Sequence, residues 1–247
     1  MRRVIHFVLA KFGYRIVRIE DDSTASAGLR PFFELLKRFG FAPKHILDIG
    51  ANHGFWTRDA IRFFPDARYT LVEPQDNLKP CIQDLLDLGY KIQWINAGAS
   101  DRSGTLRFTI AERDSGSTFA VTEEQARAAG FQQITVPVKT VNEIVASAGG
   151  DLPDLVKIDA EGLDLKVLAG ASDLLGKTDI FLVEALVCAG GYENTALEVV
   201  KFMANAGYRL IDITDLNRSP KHGVLWLCEL AFQRIGSALL DGAKSYE

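Results

Sequence analysis

From residue 45 onward two patterns alternate along the chain. Short runs that are apolar or β-branched almost throughout give way to turns rich in Gly, Asp or Asn, then to longer stretches whose apolar positions recur at helical spacing. The short runs predict strands at HILDIG (45–50), YTLVEP (69–74), KIQWINAGAS (91–100), LVKIDAEG (155–162), DIFLVEALV (179–187), YRLIDITD (208–215) and VLWLCELAF (224–232). Near-continuous hydrophobicity marks strands covered on both faces, as in a parallel sheet. Helices are predicted over 55–64, 77–88, 163–175 and 193–206, the last two stopping near Gly176 and Gly207, where a left-handed cap favours glycine. Repeated strand–helix–strand units predict an α/β fold, a mostly parallel sheet with helices on both faces.

One insertion, at about 101–154, breaks the rhythm. It contains a hairpin strand LRFTI (106–110), a polar loop ERDSGST (112–118), a helix near 122–130, and the run ITVPVKTVNEIV (134–145), read as an edge strand followed by a short helix. Long excursions inside compact domains usually serve as lids or binding loops. Ser115, Ser117 and Thr118 offer hydroxyls around the flexible Gly116, so this loop is expected to close over a bound acceptor. Residues 1–44 read as amphipathic helices ending at Pro43, a helical extension ahead of a domain spanning 45–247.

Composition narrows the partners. Of 247 residues, 47% are hydrophobic and 24% charged, which excludes a disordered chain. A net charge of −4 argues against a nucleic-acid backbone as the main partner and favours a small molecule. Three cysteines without a CxxC pair fit a reducing compartment, and no run approaches the ~18 apolar residues that span a bilayer, so a cytoplasmic protein is expected. At the N-terminus Arg2, Arg3, Lys11, Arg15 and Arg18 interleave with Ile5, Phe7, Val8, Leu9 and Phe12. This segment is expected to pack on the protein's own sheet or on a second copy in a homo-oligomer, with peripheral contact to an acidic membrane as the alternative.

The candidate chemistry lies at strand ends. The first strand runs into Asp48-Ile49-Gly50-Ala51-Asn52-His53-Gly54 just before a helix, where glycines let a ligand approach backbone N–H groups and the helix N-terminus favours an anion. The G-x-x-x-G spacing lacks the G-x-G-x-x-G that cradles a dinucleotide, which counts against an NAD-dependent oxidoreductase. Glu73 ends the second strand at a spacing suited to a ribose diol. Ala99, Ser100 and Asp101 end the third beside space for a flat base. In Lys157-Ile158-Asp159-Ala160-Glu161-Gly162, period-2 geometry puts Lys157, Asp159 and Glu161 on one side of a central strand, with Lys157 pairing Asp159 or Glu184. Asp159, Glu161 and Glu184 are the carboxylates best placed for acid–base work, and His222 is the histidine candidate. The same three carboxylates are hard ligands of the kind Mg²⁺ accepts, but no spacing forms a metal motif and Lys157 adds a cation, so a divalent metal is not favoured.

Together, DIGANHGFWT (48–57), LVEP (71–74), AGASD (97–101), SGST (115–118), TVNEIV (140–145), KIDAEG (157–162), VLAGA (167–171) and FLVEA (181–185) resemble the FkbM family of S-adenosylmethionine-dependent methyltransferases. The resemblance implies a Rossmann-like class I methyltransferase sheet of seven strands, and O-methylation of a sugar, glycan or other small hydroxylated metabolite. It implies that Gly50, Ala51 and Asn52 line the methionine end of the cofactor, that Glu73 holds its ribose, and that Ser100 and Asp101 sit by its adenine. His53 inherits no role. A member that binds the cofactor without methylating anything is the remaining rival. Asp159 is expected to matter more for turnover than for cofactor affinity.

Overall fold

The computed structural model describes residues 28–110, 118–119, 121–188 and 192–243. The basic N-terminal segment and the hydroxyl loop with Ser115 and Ser117 lie outside the described residues. Helix α1 (Leu29–Arg38) buries Leu29, Phe32, Phe33 and Leu36, which recur at helical spacing. Strand β1 (His45–Ile49), helix α2 (Phe55–Phe63) and strand β2 (Arg68–Val72) form the first crossover unit. The next helix begins as a 3₁₀ helix over Asp76–Ile82, where Pro80 cannot donate a backbone hydrogen bond, and becomes α-helical in α3 (Gln83–Asp87). Strand β3 (Ile92–Ile95) follows, then β4 (Gly98–Ala99), β5 (Gly104–Ile110), α4 (Glu123–Ala129), β6 (Gln132–Lys139) and α5 (Val141–Ser147). The second half runs β7 (Leu155–Ile158), α6 (Asp164–Ala169), β8 (Ile180–Leu186), α7 (Ala196–Asn205), and a hairpin of β9 (Tyr208–Arg218) and β10 (Leu225–Arg234).

The main sheet has seven strands in the order β3-β2-β1-β7-β8-β10-β9. All its pairings from β3 to β8 are parallel, and β10 is inserted antiparallel between β8 and β9. That is the strand order and polarity of a class I methyltransferase sheet. Side chains alternate between faces. Leu47, Ile49, Val156, Ile158, Phe181 and Val183 pack with residues of α5, α6 and α7. Ile46, Tyr69, Leu155, Ile180 and Leu182 pack on the other face with residues of α1, α2 and α3. Both layers are apolar because both faces are covered, and this is why the strands read as unbroken hydrophobic runs. Among the described residues no helix is long and apolar enough to cross a membrane.

The structure departs from the sequence pattern in four places. KIQWINAGAS is not one strand: β3 stays in the main sheet, while Gly98 and Ala99 pair with Val138 and Lys139 in a separate three-stranded sheet. In that small sheet β6 is central, flanked by β4 and β5, and not an edge strand, because the insertion folds back as a hairpin on its own base. LVKIDAEG ends as a strand at Ile158, since the chain turns into a left-handed conformation at Glu161 (φ 50°). Nor is α1 an appendage to a domain beginning at 45. Phe33 is fully buried, its ring 5.5 Å from Trp56, 5.6 Å from Phe63 and 5.6 Å from Phe64.

Truncating such a buried aromatic typically costs about 3–5 kcal/mol, so Phe33→Ala is expected to lower the free energy of urea unfolding by that amount. A loss below about 1 kcal/mol would make α1 a dispensable addition to the fold.

Candidate functional site

A cavity of about 640 Å³ opens at the carboxyl ends of the parallel strands, where open α/β sheets bind ligands. Its floor is organised by Lys157. This ammonium is almost completely buried and touches the Gly50 carbonyl at 3.0 Å, Asp159 Oδ2 at 3.1 Å and Asp48 Oδ1 at 3.5 Å. Burial opposes its charge, but Asp159, Asp48 and Glu229 outweigh that opposition and raise its pKa. Lys157 pairs with Asp159 and with Asp48, which stands opposite it across β1 and β7; on the β8 side Leu182, not Glu184, is its register partner. Asp48 itself lies beneath the cavity lining, fully buried, accepting a bond from the Thr57 hydroxyl.

The turn after β1 is fixed from the same point. Gly50 has φ 77°, and a Cβ there would fall 1.8 Å from the Asp159 carbonyl oxygen, so the two strand ends meet as closely as backbone allows. Asn52, also left-handed at φ 47°, donates its backbone N–H to Glu73 Oε2 at 2.9 Å. Gly50, Ala51 and Gly54 give their N–H groups to backbone carbonyls, and His53 gives its own to the Asn52 side chain. The turn's own donors are therefore spent, contrary to what the glycine spacing suggests. The first-turn N–H groups of α2 remain without intrahelical partners, and the indole N–H of cavity-lining Trp56 is buried without a partner among the described residues. Gly54 serves as the left-handed N-cap of α2, outside the lining.

Glu73 lines the cavity and is itself 3% exposed. Oε2 accepts from the Asn52 N–H, and Oε1 from both the Gln75 N–H at 2.9 Å and the Gln75 side-chain amide at 3.4 Å, which leaves a second acceptor position on Oε2. Burial raises its pKa, partly offset by these hydrogen bonds. Ala97, Gly98 and Ala99 form a small-residue wall nearby. Ser100 and Asp101 do not face the cavity: Ser100 is buried with its carbonyl against Gly170, and its hydroxyl bonds Asp101. Phe119 and Phe108 occupy that side instead, rings 4.7 Å apart, with Phe119 close enough to Gly98 that a Cβ would clash.

At the opposite end the cavity is acidic. Glu184, Glu229 and Asp215 stand in register across β8, β10 and β9, so the three project from one face of adjacent strands. Glu161 comes in from the turn after β7. Burial first, and then Asp159 and Asp164, push the Glu161 pKa up to about 9; Glu184 is raised well above the carboxylate range by burial and by Asp159, Asp164 and Glu161. Glu229 is pushed up to about 7 by burial, with its bond from Thr214 and the charge of Lys157 acting the other way. Among the described residues no group of three His, Cys, Asp or Glu side chains is arranged to hold a metal ion, although Asp159, Glu161 and Glu184 share this cavity.

Two further sequence candidates fall away from this site. His222 lies exposed in the turn at the tip of the β9–β10 hairpin and does not line the cavity. The Thr118 hydroxyl donates to the Glu161 carbonyl at 2.8 Å and so is engaged in holding the turn. Conversely, Glu229, Asp215, Phe108, Phe119 and Trp56 line the cavity without having been singled out; Leu29 of α1 joins them. For Glu229 and Asp215 the only sequence signal is a carboxylate inside an otherwise apolar strand pattern.

Residues 48–210 match the methyltransferase FkbM domain family. No curated protein matches the chain in sequence. Among solved structures, the chain is similar to a precorrin-6y C5,15-methyltransferase from Geobacter metallireducens (13% identity, 87% of this chain and 94% of that one, TM-score 0.47). It is also similar to a Burkholderia thailandensis 1,6-didemethyltoxoflavin-N1-methyltransferase with bound 1,6-didemethyltoxoflavin and S-adenosylhomocysteine (17% identity, 95% and 90%, TM-score 0.44). A third is the N-methyltransferase NodS from Bradyrhizobium japonicum (13% identity, 83% and 96%, TM-score 0.45). At such low identities and TM-scores these likenesses say nothing of substrate.

The raised carboxyl pKa values carry a stability consequence. Glu161 moves from 4.5 to about 9 in the fold, so the native state binds the extra proton and its contribution is fully present below about pH 4.5. That contribution is lost as the pH rises toward about 9. Urea midpoints measured from about pH 6 to about pH 9.5 are expected to fall more steeply in the wild type than in Glu161→Gln, which has no proton to lose. Parallel curves would contradict the proton-holding Glu161.

Proposed function

This chain belongs to the FkbM family of S-adenosylmethionine-dependent methyltransferases, and we propose that it transfers a methyl group to a hydroxyl of a sugar, glycan or related small hydroxylated metabolite. The observation that carries the hydroxyl assignment is the pair of half-buried carboxyls, Glu161 and Glu184, facing the cavity with raised pKa values beside Asp159. A hydroxyl needs a base or a strong hydrogen-bond acceptor as its oxygen attacks, and a carboxyl lifted toward working pH is suited to that task.

The residues present fit the cofactor. Glu73 Oε2 has an acceptor position left for a ribose hydroxyl, the Ala97–Ala99 wall and Phe119 bound a flat slot for a base, and the α2 N-terminus with the unpartnered Trp56 indole suits a carboxylate-bearing tail. When bound, S-adenosylmethionine supplies a methyl group on a sulfonium, which needs no further activation. Lys157 holds Asp159 and the Gly50 turn in one arrangement, so this aspartate is committed to an ion pair, and Glu161 is the better base. Lys157 already favours the ionised form of Glu161, and a bound sulfonium would favour it further, bringing its pKa down from about 9 toward the working range. There it takes the hydroxyl proton, while Glu184, which holds its own proton, hydrogen-bonds a neighbouring oxygen of the acceptor and orients it. Phe108 and Phe119 from the insertion and Leu29 from α1 support the reading that both segments wall the acceptor from water.

Methyl release from labelled cofactor, screened over monosaccharides, glycosides, phenols and amines, tests this reading. Turnover confined to amines would overturn the hydroxyl assignment, and cofactor binding with no transfer to any acceptor would favour a non-catalytic member. With an accepted substrate, Glu161→Gln is expected to cost roughly 10²–10⁴-fold in kcat, with cofactor affinity retained. Near-wild-type turnover would remove Glu161 as the base. Glu73→Ala is expected to weaken cofactor binding about tenfold or more, the loss of a hydrogen-bonded charged partner being worth ~1.5–3 kcal/mol. Unchanged affinity by calorimetry would remove the ribose assignment.

A further inference from the structure

The turn that carries Glu161 is held from below by two buried polar residues with no part in the chemistry above. Asp164, fully buried in the first turn of α6, accepts the Ala160 N–H on Oδ1 at 2.8 Å, one residue before Glu161. Its other oxygen accepts from Asn194 Nδ2 at 2.7 Å. Asn194 is 4% exposed and lies in the loop after β8; the same amide nitrogen also reaches the Glu184 carbonyl at 3.3 Å. One chain of hydrogen bonds therefore runs from the backbone beside Glu161, through Asp164 and Asn194, to the backbone of Glu184. From the other side Thr118 Oγ1 donates to the Glu161 carbonyl at 2.8 Å, and Glu161 adopts φ 50°, a conformation that a non-glycine residue adopts at a cost.

This arrangement is expensive for a fold that needed only packing. Burial pushes the Asp164 pKa up to about 7, and Asn194 Oδ1 is buried with no partner among the described residues. Apolar side chains of similar volume would fill the same space at no such cost. What the polar pair provides and an apolar pair could not is a fixed link between two backbone points that each carry a cavity carboxyl.

We propose that Asp164 and Asn194 are positioning residues: a buried strut that sets the spacing of the Glu161 and Glu184 carboxyls and so the geometry in which an acceptor hydroxyl is held. The proposal rests on the hydroxyl-methylating reading of the cavity. Small displacements of catalytic groups are costly: about 1 Å can lower a rate 10²-fold. The strut would keep the two carboxyls within that tolerance whatever the hairpin above them does.

Asn194→Ala changes no formal charge, and Asp164, whose pKa of about 7 bears on both glutamates, is followed in the same titration by its own carboxyl signal. A glutamate shift larger than the change in Asp164 ionisation accounts for reports geometry and solvation, and one it accounts for in full overturns the strut. The full chain saturated with S-adenosylhomocysteine would be followed by carbon-13 NMR of the glutamate and aspartate side-chain carboxyls over a pH titration, with Glu161→Gln and Glu184→Gln assigning the two glutamate signals. The expected result is that Asn194→Ala binds S-adenosylhomocysteine within about twofold of wild type, while both carboxyls become about tenfold more acidic as their enforced approach relaxes. Unchanged titration of both carboxyls in a folded variant would overturn the strut. Should Asn194→Ala not fold, Asn194→Ser, whose shorter donor cannot span both acceptors, is read in the same way. Failure of wild-type protein to bind S-adenosylhomocysteine would overturn the cofactor reading instead, and the carboxyl titration in the ligand-free chain would still decide the strut.

Discussion

Everything at the carboxyl edge of the sheet depends on one buried cation. A lysine ammonium without water must have its donors satisfied by protein, and Lys157 meets that demand with the Gly50 carbonyl, Asp159 and Asp48. Those partners belong to the ends of two adjacent strands and to the turn that leaves one of them. Satisfying the cation thereby fixes how β1 and β7 end relative to each other, and the close approach of Gly50 to the Asp159 carbonyl leaves no slack between them. Removing either carboxylate would leave a buried charge incompletely paired, a change that typically costs about 3–5 kcal/mol. The Glu73 carboxylate, caught by the Asn52 N–H, extends the same restraint to the end of β2.

With the cation committed downward, the acidic end of the cavity has no other basic side chain facing it among the described residues. Glu184, Glu229 and Asp215 are carried there by strand register, and Glu161 by a left-handed turn. Carboxylates gathered in a poorly solvated space cannot all ionise, and the common response is to hold protons, which is the direction shown by Glu161, Glu184 and Glu229. The electrostatic character of the site thus follows from sheet geometry. No single residue would produce it alone.

This division also explains what the sequence revealed. The seven-stranded sheet was legible because strands covered on both faces lose their polar alternation, and the place of Gly50, Asn52 and Glu73 at the carboxyl edge was legible because each follows a strand within a few residues. Period-2 alternation misled where the strand stopped: it carries no information about Glu161 once the chain leaves β7 at Ile158. Ser100 and Asp101 resembled a ligand-facing turn, yet the glycine that admits the Ser100 carbonyl is Gly170, distant in sequence. Glu229 reaches the cavity because β10 inserts antiparallel beside β8 with Glu229 opposite Glu184. That register depends on long-range closure, which no local pattern records. His222 failed for the converse reason, a chemically apt residue at the exposed tip of a hairpin.

The unfavourable features of the structure are concentrated rather than scattered. Glu161 in a left-handed conformation, Asp164 and Glu229 buried as carboxyls, Asn194 Oδ1 without a partner and Lys157 out of water all lie within one edge of the sheet. Away from that edge the buried polar groups are mostly hydrogen-bonded, as where His45 at the amino end of β1 meets Thr70 and Asp151, and the inward strand positions are mostly Leu, Ile, Val and Phe at essentially zero exposure. A protein selected for stability alone would exchange the buried carboxyls for aliphatic side chains. Strain and desolvation persist where surrounding structure over-determines them, and they collect where chemistry requires a group to be other than what water would make it. Here the over-determination has identifiable parts, since the Glu161 turn is held by Thr118 above and by Asp164 below, and Asp164 in turn by Asn194. A carboxyl held this firmly in a place that disfavours its charge gains most from a cation placed beside it.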